Sequence, residues 1–380
     1  LKIAFLTTDN REHQRRYDLV DPSFGTAPEA LLQGLATVSD AEVHVISCTQ
    51  RPMRSPEKLA GNIYFHSLHV PKIGWLRTGY QGCIRATRKL LRQLQPDIVH
   101  GQGTERECAI SAVLSGFPNV ITIHGNMRLI AKVTRSRPFS FPWLAARLEA
   151  FAIPRSDGVI CITQYTQEAV RTLARKTWVL PNAVDQSFFE VQRAPQPENV
   201  VLCVGHITLR KNQNAFIRAL DPLTQRLTFK VLFLGHASSN EPYSTEFFDL
   251  IRARPWCEHI GFADRATLKQ HLAKAALLVM PSLEENCPMV ILEAMAAGVP
   301  VAAANVGGVP DLINDGVSGV FFEPANAESI RVAVADVFAN RDRAARIAET
   351  ARAEARQRFH PRQVARGHME IYREALSRSS

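Results

Sequence analysis

The feature that most restricts how this chain can fold is a rhythm of short apolar runs alternating with amphipathic stretches along its length. The runs KIAFLTT (2–8), EVHVISC (42–48), NIYFHSL (62–68), DIVHG (97–101), NVITIHG (119–125), GVICIT (158–163) and TWVLPN (177–182) read as strands. Between them, PEALLQGLATV, IRATRKLLRQL, ERECAISAVLSG and QEAVRTLAR space their apolar residues at helical intervals. The pattern restarts near residue 199 with NVVLCVGH, FKVLFLGH (229–236), EHIGF, ALLVMPS (276–282), VPVAAA and GVFFEP. Nearly continuous apolar strands alternating with helices require parallel sheets covered on both faces. Met twice, the pattern predicts two doubly wound α/β domains. The seam falls in VDQSFFEVQRAPQPENV (184–200), which is polar, proline-bearing and followed by a fresh strand. The expected division is 1–185 and 186–359, with 360–380 as a terminal helix packing back on the first domain.

Ligands of such sheets bind at the carboxyl ends of the strands, which for two facing sheets is the cleft between them. Three strand ends stand out: His124-Gly125 after 119–123, GHITLRKNQ after 200–204, and PSLEEN after 276–280. In GHITLRKNQNAFIRAL (205–220), Gly205, His206, Arg210 and Lys211 lie between a strand and a helix, where backbone amides and cations can hold an anion. The plainer reading is a solvated basic loop, since neither a Walker A sequence nor G-x-G-x-x-G is present. Gly307-Gly308 allow close backbone approach to a ligand, or simply make a turn.

The stretch EENCPMVILEAMAAGVP (284–300) carries Glu285 and Glu293 around an apolar run. Pro288 suits a first helical turn, with Asn286 or Cys287 as the cap. Glu285 then lies in the preceding loop and Glu293 two turns inside, about 10 Å along the axis at 1.5 Å per residue. That separation suits gripping two parts of one elongated ligand, with helix amides between them for a phosphate. The plainer reading is a buried helix with acids near its ends.

PSLEENCPMVILEAMAAGVPVAAANVGGVPDLI resembles the E-x7-E region of the retaining GT-B glycosyltransferases of family four. VGHITLRKNQ resembles that family's diphosphate-binding G-R-L-x-x-x-K, VLPNAVDQSFF its P-N-G-V-D-x-x-x-F, and ITIHG its catalytic-cleft histidine strand. The likeness runs from residue 1 through the closing RFHPRQVARGHMEIYREAL. It implies a GT-B fold, two Rossmann-like domains facing across a cleft, and transfer of a sugar from a UDP- or GDP-sugar to a hydroxyl acceptor. Glu285 would bind donor-sugar hydroxyls beside the backbone of Asn286, Cys287, Pro288 and Met289, and Glu293 the ribose diol. Lys211 and Arg210 would meet the diphosphate, His124 would line the reaction site, and Gly261 and Phe262 would contact the base. Three positions depart from the family: His206 replaces an arginine, Phe24-Gly25-Thr26 replaces a Gly-Gly loop, and Ala183 replaces a glycine. These departures motivate an alternative, a catalytically silent sugar-nucleotide-binding or membrane-scaffold protein. An epimerase or phosphorylase on the same scaffold is a further one.

No cofactor or metal is expected, because D-x-D and His/Cys clusters at ligand spacing are missing and cations with helix amides can stabilise a leaving diphosphate. Seven scattered cysteines without a C-x-x-C read as buried thiols of a reducing compartment. No run approaches the ~20 apolar residues of a membrane span. The opening LKIAFLTT is strand-like rather than signal-like, and Leu1 in place of methionine suggests a trimmed start. The expected place is therefore the cytoplasm, with membrane contact at the inner face.

The contact is suggested by charge. Residues 1–190 hold 23 Lys/Arg against 16 Asp/Glu, net +7, while residues 191–380 hold 22 against 20, net +2. Within 75–94, Arg77, Arg85, Arg88, Lys89 and Arg92 occur without an acid. Segment 127–148 interleaves Arg128, Lys132, Arg135 and Arg137 with Phe139, Phe141 and Trp143. Both suit an anionic membrane surface or a lipid-linked acceptor. Alternatively they are an ordinary amphipathic helix and a cleft loop. No nucleic-acid motif accompanies the charge.

Overall fold

In the computed structural model, which describes residues 1–133 and 135–377, the chain separates into two compact units. Unit 1 comprises residues 1–183 together with the described residues from 360 on; unit 2 comprises Val184–Phe359.

Unit 1 holds an eight-stranded sheet of β1 (Lys2–Leu6), β2 (Glu42–Thr49), β3 (Lys58–Ala60), β4 (Ile63–His69), β5 (Ile98–Gln102), β6 (Asn119–Ile123), β7 (Gly158–Cys161) and β8 (Thr177–Val179). Its order is β3-β4-β2-β1-β5-β6-β7-β8. All pairings are parallel except β3 with β4, an edge hairpin the sequence rhythm did not disclose. Unit 2 holds six parallel strands, β9 (Glu198–Val204), β10 (Lys230–Leu234), β11 (Cys257–Gly261), β12 (Ala275–Met280), β13 (Val301–Ala304) and β14 (Val320–Phe322), in the order β11-β10-β9-β12-β13-β14.

The apolar runs are continuous because both faces of each sheet are buried. Successive side chains alternate across a strand, so in β1 Ile3 and Phe5 join one core while Ala4 and Leu6 join the other. In β9, Val200 and Leu202 separate likewise from Val201 and Cys203. Charged side chains are thereby pushed toward strand ends and loops.

The terminal helix Pro361–Ser377 belongs to unit 1, where Val364, Ala365, Met369, Ile371, Tyr372 and Ala375 complete the core beneath helix Thr26–Leu35. Residues 378–380 of the expected 360–380 helix lie outside the described residues. Glu374 fastens its far end by accepting from Trp178 Nε1 at 2.7 Å and pairing with Lys176 at 3.0 Å. At the near end the backbones almost touch: a Cβ on Gly34 would lie 2.0 Å from the Pro361 carbonyl oxygen.

No disulfide joins any of the seven cysteines. No helix among the described residues is long and apolar enough to cross a membrane.

Gly34→Ala should therefore prise the terminal helix from unit 1 at a cost of about 1–3 kcal/mol. The readout is a lower denaturant midpoint. Gly61→Ala, whose added Cβ meets nothing within 4 Å, should leave the midpoint unchanged.

Candidate active site

Chemistry-bearing residues gather where the buried strands of unit 2 end. After β9 the chain makes a single 3-10 turn, Leu209–Lys211, then enters helix Gln213–Leu220. After β12 it runs through 281–288 into helix Met289–Ala297. These two loops bring Lys211 and Glu285 into direct contact, Lys211 Nζ pairing with Glu285 Oε1. Arg210 Nη1 lies 3.3 Å from the same oxygen and 3.6 Å from Glu284 Oε2, and donates to the Glu284 carbonyl at 2.7 Å. Two cations thus share one carboxylate that is only 6% exposed.

The Glu285 backbone is fixed by the paired glycines. Gly308 N–H donates to the Glu285 carbonyl at 3.0 Å, and a Cβ on Gly307, at φ +54°, would lie 2.0 Å from that oxygen. The turn reading of Gly307-Gly308 and a role in the site therefore coincide. The expected cap is corrected: helix Met289–Ala297 is preceded by Pro288 as N-cap, in extended conformation (φ −68°, ψ 108°), not by Asn286 or Cys287. The fixed proline φ with an extended ψ delays the first helical residue to Met289. Asn286, Cys287 and Met289 are half-buried beside it, and Pro288 is buried.

Glu293 sits in the second turn of the same helix, 7% exposed. It makes no hydrogen bond or ion pair among the described residues; its electrostatic neighbours are Arg265 and Asp185, themselves paired at 2.7 Å. Burial pushes the Glu293 carboxyl up to about 7, opposed by Arg265 and reinforced by Asp185. Asp185 and Arg265 were not singled out in the sequence as partners of Glu293. The signal was available, because Asp185 ends the P-N-A-V-D turn, but sequence order alone does not bring it to residue 293.

Other expected residues are placed less centrally. His206 is exposed, and its carbonyl accepts from Gln213 Nε2 at 2.9 Å. Gly261 ends β11 at φ +82°, followed by Phe262, which is 80% exposed. Gly25 and Thr26 belong to unit 1, where Gly25 caps helix Thr26–Leu35 through its backbone alone and both residues are exposed. His124, also in unit 1, follows β6; its Nε2 lies 2.8 Å from Gln102 Oε1. Burial pushes its pKa down to about 4, opposed by a hydrogen bond with the Asn182 side chain, so the ring is neutral near pH 7. Among the described residues, no group of three or more His, Cys, Asp or Glu side chains is placed to hold a metal ion.

In an unfolded chain Glu293 would titrate near 4.5, whereas the folded value is about 7. Between these values the native state binds the proton more tightly, so stability falls as pH rises. Glu107, buried in unit 1 and pushed up to about 7 chiefly by desolvation, adds to the same slope. Glu293→Gln should flatten the decline in melting temperature from pH 5 to pH 8, recovering at most about 3 kcal/mol at the upper end. Parallel melting curves across that range would reveal an unchanged slope if the carboxyl were not desolvated.

The chain resembles known proteins over most of its length. The family described as "Glycosyl transferases group 1" matches residues 184–354, and "Glycosyltransferase Family 4" matches residues 29–188. An uncharacterised glycosyltransferase of Methanocaldococcus jannaschii is 23% identical over 313 residues, covering 80% of this chain and 82% of that protein. Another from the same organism is 28% identical over 179 residues, covering 47% of this chain and 46% of the relative, so only about half of that relative is matched. The GDP-mannose-dependent alpha-(1-6)-phosphatidylinositol monomannoside mannosyltransferase of Mycolicibacterium smegmatis is 31% identical over 156 residues, 38% of this chain and 40% of that one. Among solved structures, sucrose-phosphate synthase from Thermosynechococcus elongatus superposes over 100% of both chains with a TM-score of 0.77 at 17% identity. Anabaena HepE in complex with UDP-glucose superposes over 98% of this chain and 99% of that one, with a TM-score of 0.71 at 19% identity. With two parallel-sheet units and family matches that adjoin across both, the chain belongs to the family-four glycosyltransferases of GT-B fold.

Proposed function

We propose that this glycosyltransferase takes its sugar from a UDP- or GDP-sugar and transfers it, with retention of configuration and without a metal ion, to a hydroxyl of a glycan or lipid-linked acceptor. The observation that carries the reading is the sharing of the buried Glu285 carboxylate between Lys211 and Arg210 at the strand ends of unit 2. Lys211 and Arg210, though paired with Glu285 and Glu284, bring two cations to the strand ends where a diphosphate can be met, and Glu285 keeps acceptor capacity for sugar hydroxyls. Glu293, buried and without a hydrogen bond among the described residues, is suited to a ribose diol. HepE was solved with UDP-glucose and the mycobacterial relative is named for GDP-mannose, which supports a nucleotide-diphosphate donor without choosing the base.

In the proposed reaction the bond from the sugar's anomeric carbon to the diphosphate oxygen breaks, and the acceptor oxygen bonds to that carbon from the same face. The acceptor's proton passes to a leaving phosphate oxygen. Lys211 and Arg210 stabilise the charge that develops on the diphosphate, the kind of preorganised contribution that serves most in a poorly hydrated site. His124, held neutral, is assigned by the family resemblance to line the reaction site.

The lipid-linked acceptor is suggested by the outer face of unit 1. In helix Gln81–Leu94, Cys83, Ile84, Thr87 and Leu91 are buried while Arg85, Arg88, Lys89 and Arg92 are all exposed. Beside it an open groove of about 510 Å³ runs past Val70, Ile73 and Ala86, with Ile73 itself 75% exposed. Segment 127–148, whose residue 134 lies outside the described residues, presents Phe139 at 80% exposure. Its Trp143 instead lies against Arg147, 4.8 Å from ring centroid to guanidinium.

Incubation with UDP-, GDP- and ADP-sugars should release nucleotide from one class. Glu285→Ala should lower turnover by about 10²–10³. Glu293→Ala should weaken nucleotide binding about 10- to 100-fold, the loss of hydrogen bonds to a charged acceptor. Unchanged binding and transfer in both variants would refute the assignment, and nucleotide binding without turnover in the native protein would identify a silent relative.

For the acceptor, each exposed cation near an anionic surface contributes about 1 kcal/mol, screened as salt rises. The protein should co-sediment with anionic but not zwitterionic liposomes, and lose that binding when Arg85, Arg88, Lys89 and Arg92 become Ser. Equal behaviour toward both would point to a soluble acceptor.

A further inference from the structure

Period-two alternation puts His100 and Gln102 of β5 on the same sheet face as Thr122 of β6, with His124 two residues beyond Thr122. On this face of unit 1 their polar atoms join those of the terminal helix. Tyr372 OH, fully buried, lies 2.6 Å from His100 Nδ1, and Thr122 Oγ1 lies 2.7 Å from His100 Nε2. Gln102 Nε2 lies against the same ring, 3.0 Å from Nε2 and 3.3 Å from Nδ1. The Gln102 amide thus turns its nitrogen to the His100 ring, whose two nitrogens are already paired with the Tyr372 and Thr122 hydroxyls. Gln102 Oε1 is then turned to His124 Nε2 at 2.8 Å. An amide oxygen only accepts, so in the neutral ring a proton on Nε2 serves this contact, and the Asn182 side chain is a further hydrogen-bond partner of the ring.

The space among these side chains is about 10 Å³, so the cluster is a packed support and not a second ligand site. His368 closes it from the terminal helix, its Nδ1–H donating to the Val364 carbonyl at 2.9 Å. The titratable groups facing His124 from β5 and the terminal helix are thus His100, His368 and Tyr372. Neither a carboxylate nor a cation contributes to the shifts of the three histidines, each lowered first by desolvation.

We infer that Tyr372, His100 and Gln102 are positioning residues that hold His124 as the Nε2-protonated imidazole, making the terminal helix part of the reaction machinery of unit 1. The functional half of this inference rests on the sugar-transfer reading; the state of the His124 ring does not. A leucine at Gln102 removes the acceptor at nearly constant size, and a phenylalanine at Tyr372 removes one oxygen. A glutamate at Gln102 keeps an acceptor but adds a charge, which favours the imidazolium.

The experiment combines ¹⁵N and ¹³C NMR of the histidine rings with pH–rate profiles on native protein, Gln102→Leu, Tyr372→Phe and Gln102→Glu, each checked for unaltered melting. His124 should be Nε2-protonated in the native protein and shift toward a tautomer mixture in Gln102→Leu, with a smaller change in Tyr372→Phe. Turnover should fall about 10-fold in Gln102→Leu while the donor KM stays within about twofold, as expected for misplacing a reacting-site group. Gln102→Glu should move the acidic limb of the profile to higher pH. An unchanged His124 tautomer in both neutral variants overturns the inference, whatever the activity. A native protein that transfers no sugar yet shows the expected ring states would refute the proposed function alone.

Discussion

Parallel strands buried on both faces leave this chain few places for polar side chains. From Ile3 to Leu6 in β1, Val200 to Cys203 in β9 and Leu277 to Met280 in β12, successive residues enter opposite apolar cores. Desolvated ionisable groups in those interiors would be costly. The ends of the strands, where the chain turns over to a helix, are where charge can be held. Lys211 after β9 and Glu285 after β12 meet because these strands are neighbours in the sheet, though 74 residues separate them in sequence.

The two acids of the E-x7-E stretch are held by opposite physics. Glu285 is neutralised by contact: two cations on one loop converge on one of its oxygens, and the 307–308 turn holds its carbonyl. Glu293 is controlled by burial, which raises its pKa to about 7 beside an Arg265–Asp185 pair that satisfies itself. One carboxylate is therefore held in place by its cationic partners, while burial of the other brings its titration to about neutral pH. A helix only nine residues long, Met289–Ala297, carries the second and is introduced by the loop that carries the first.

Unit 1 applies the same economy of space to histidine. Three imidazoles, a tyrosine and a glutamine are packed where β5 and β6 meet the terminal helix, and burial lowers all three histidine pKa values. The terminal helix reaches them because Gly34 allows it to lie close and because Glu374 ties it to Trp178 and Lys176. A segment that looks like a closing amphipathic helix in sequence thus supplies a buried hydrogen bond to the strand pair that ends in His124.

The sequence determined the two-sided burial, since only sheets covered on both faces make short apolar runs continuous. It also determined which strand ends carry polar chemistry, because Lys211, Glu285 and His124 each lie at or shortly beyond the end of a readable strand. The edge strand β3 was not legible: three residues pairing at an irregular register carry too little pattern. Nor could the sequence yield the Glu293–Asp185–Arg265 grouping or the Tyr372–His100–Gln102–His124 chain, whose first link spans 272 residues. Periodicity reports which face a residue occupies but not what covers that face. Distant contacts depend on how separate helices seat against the sheet, and the same packing decides how far each buried pKa moves.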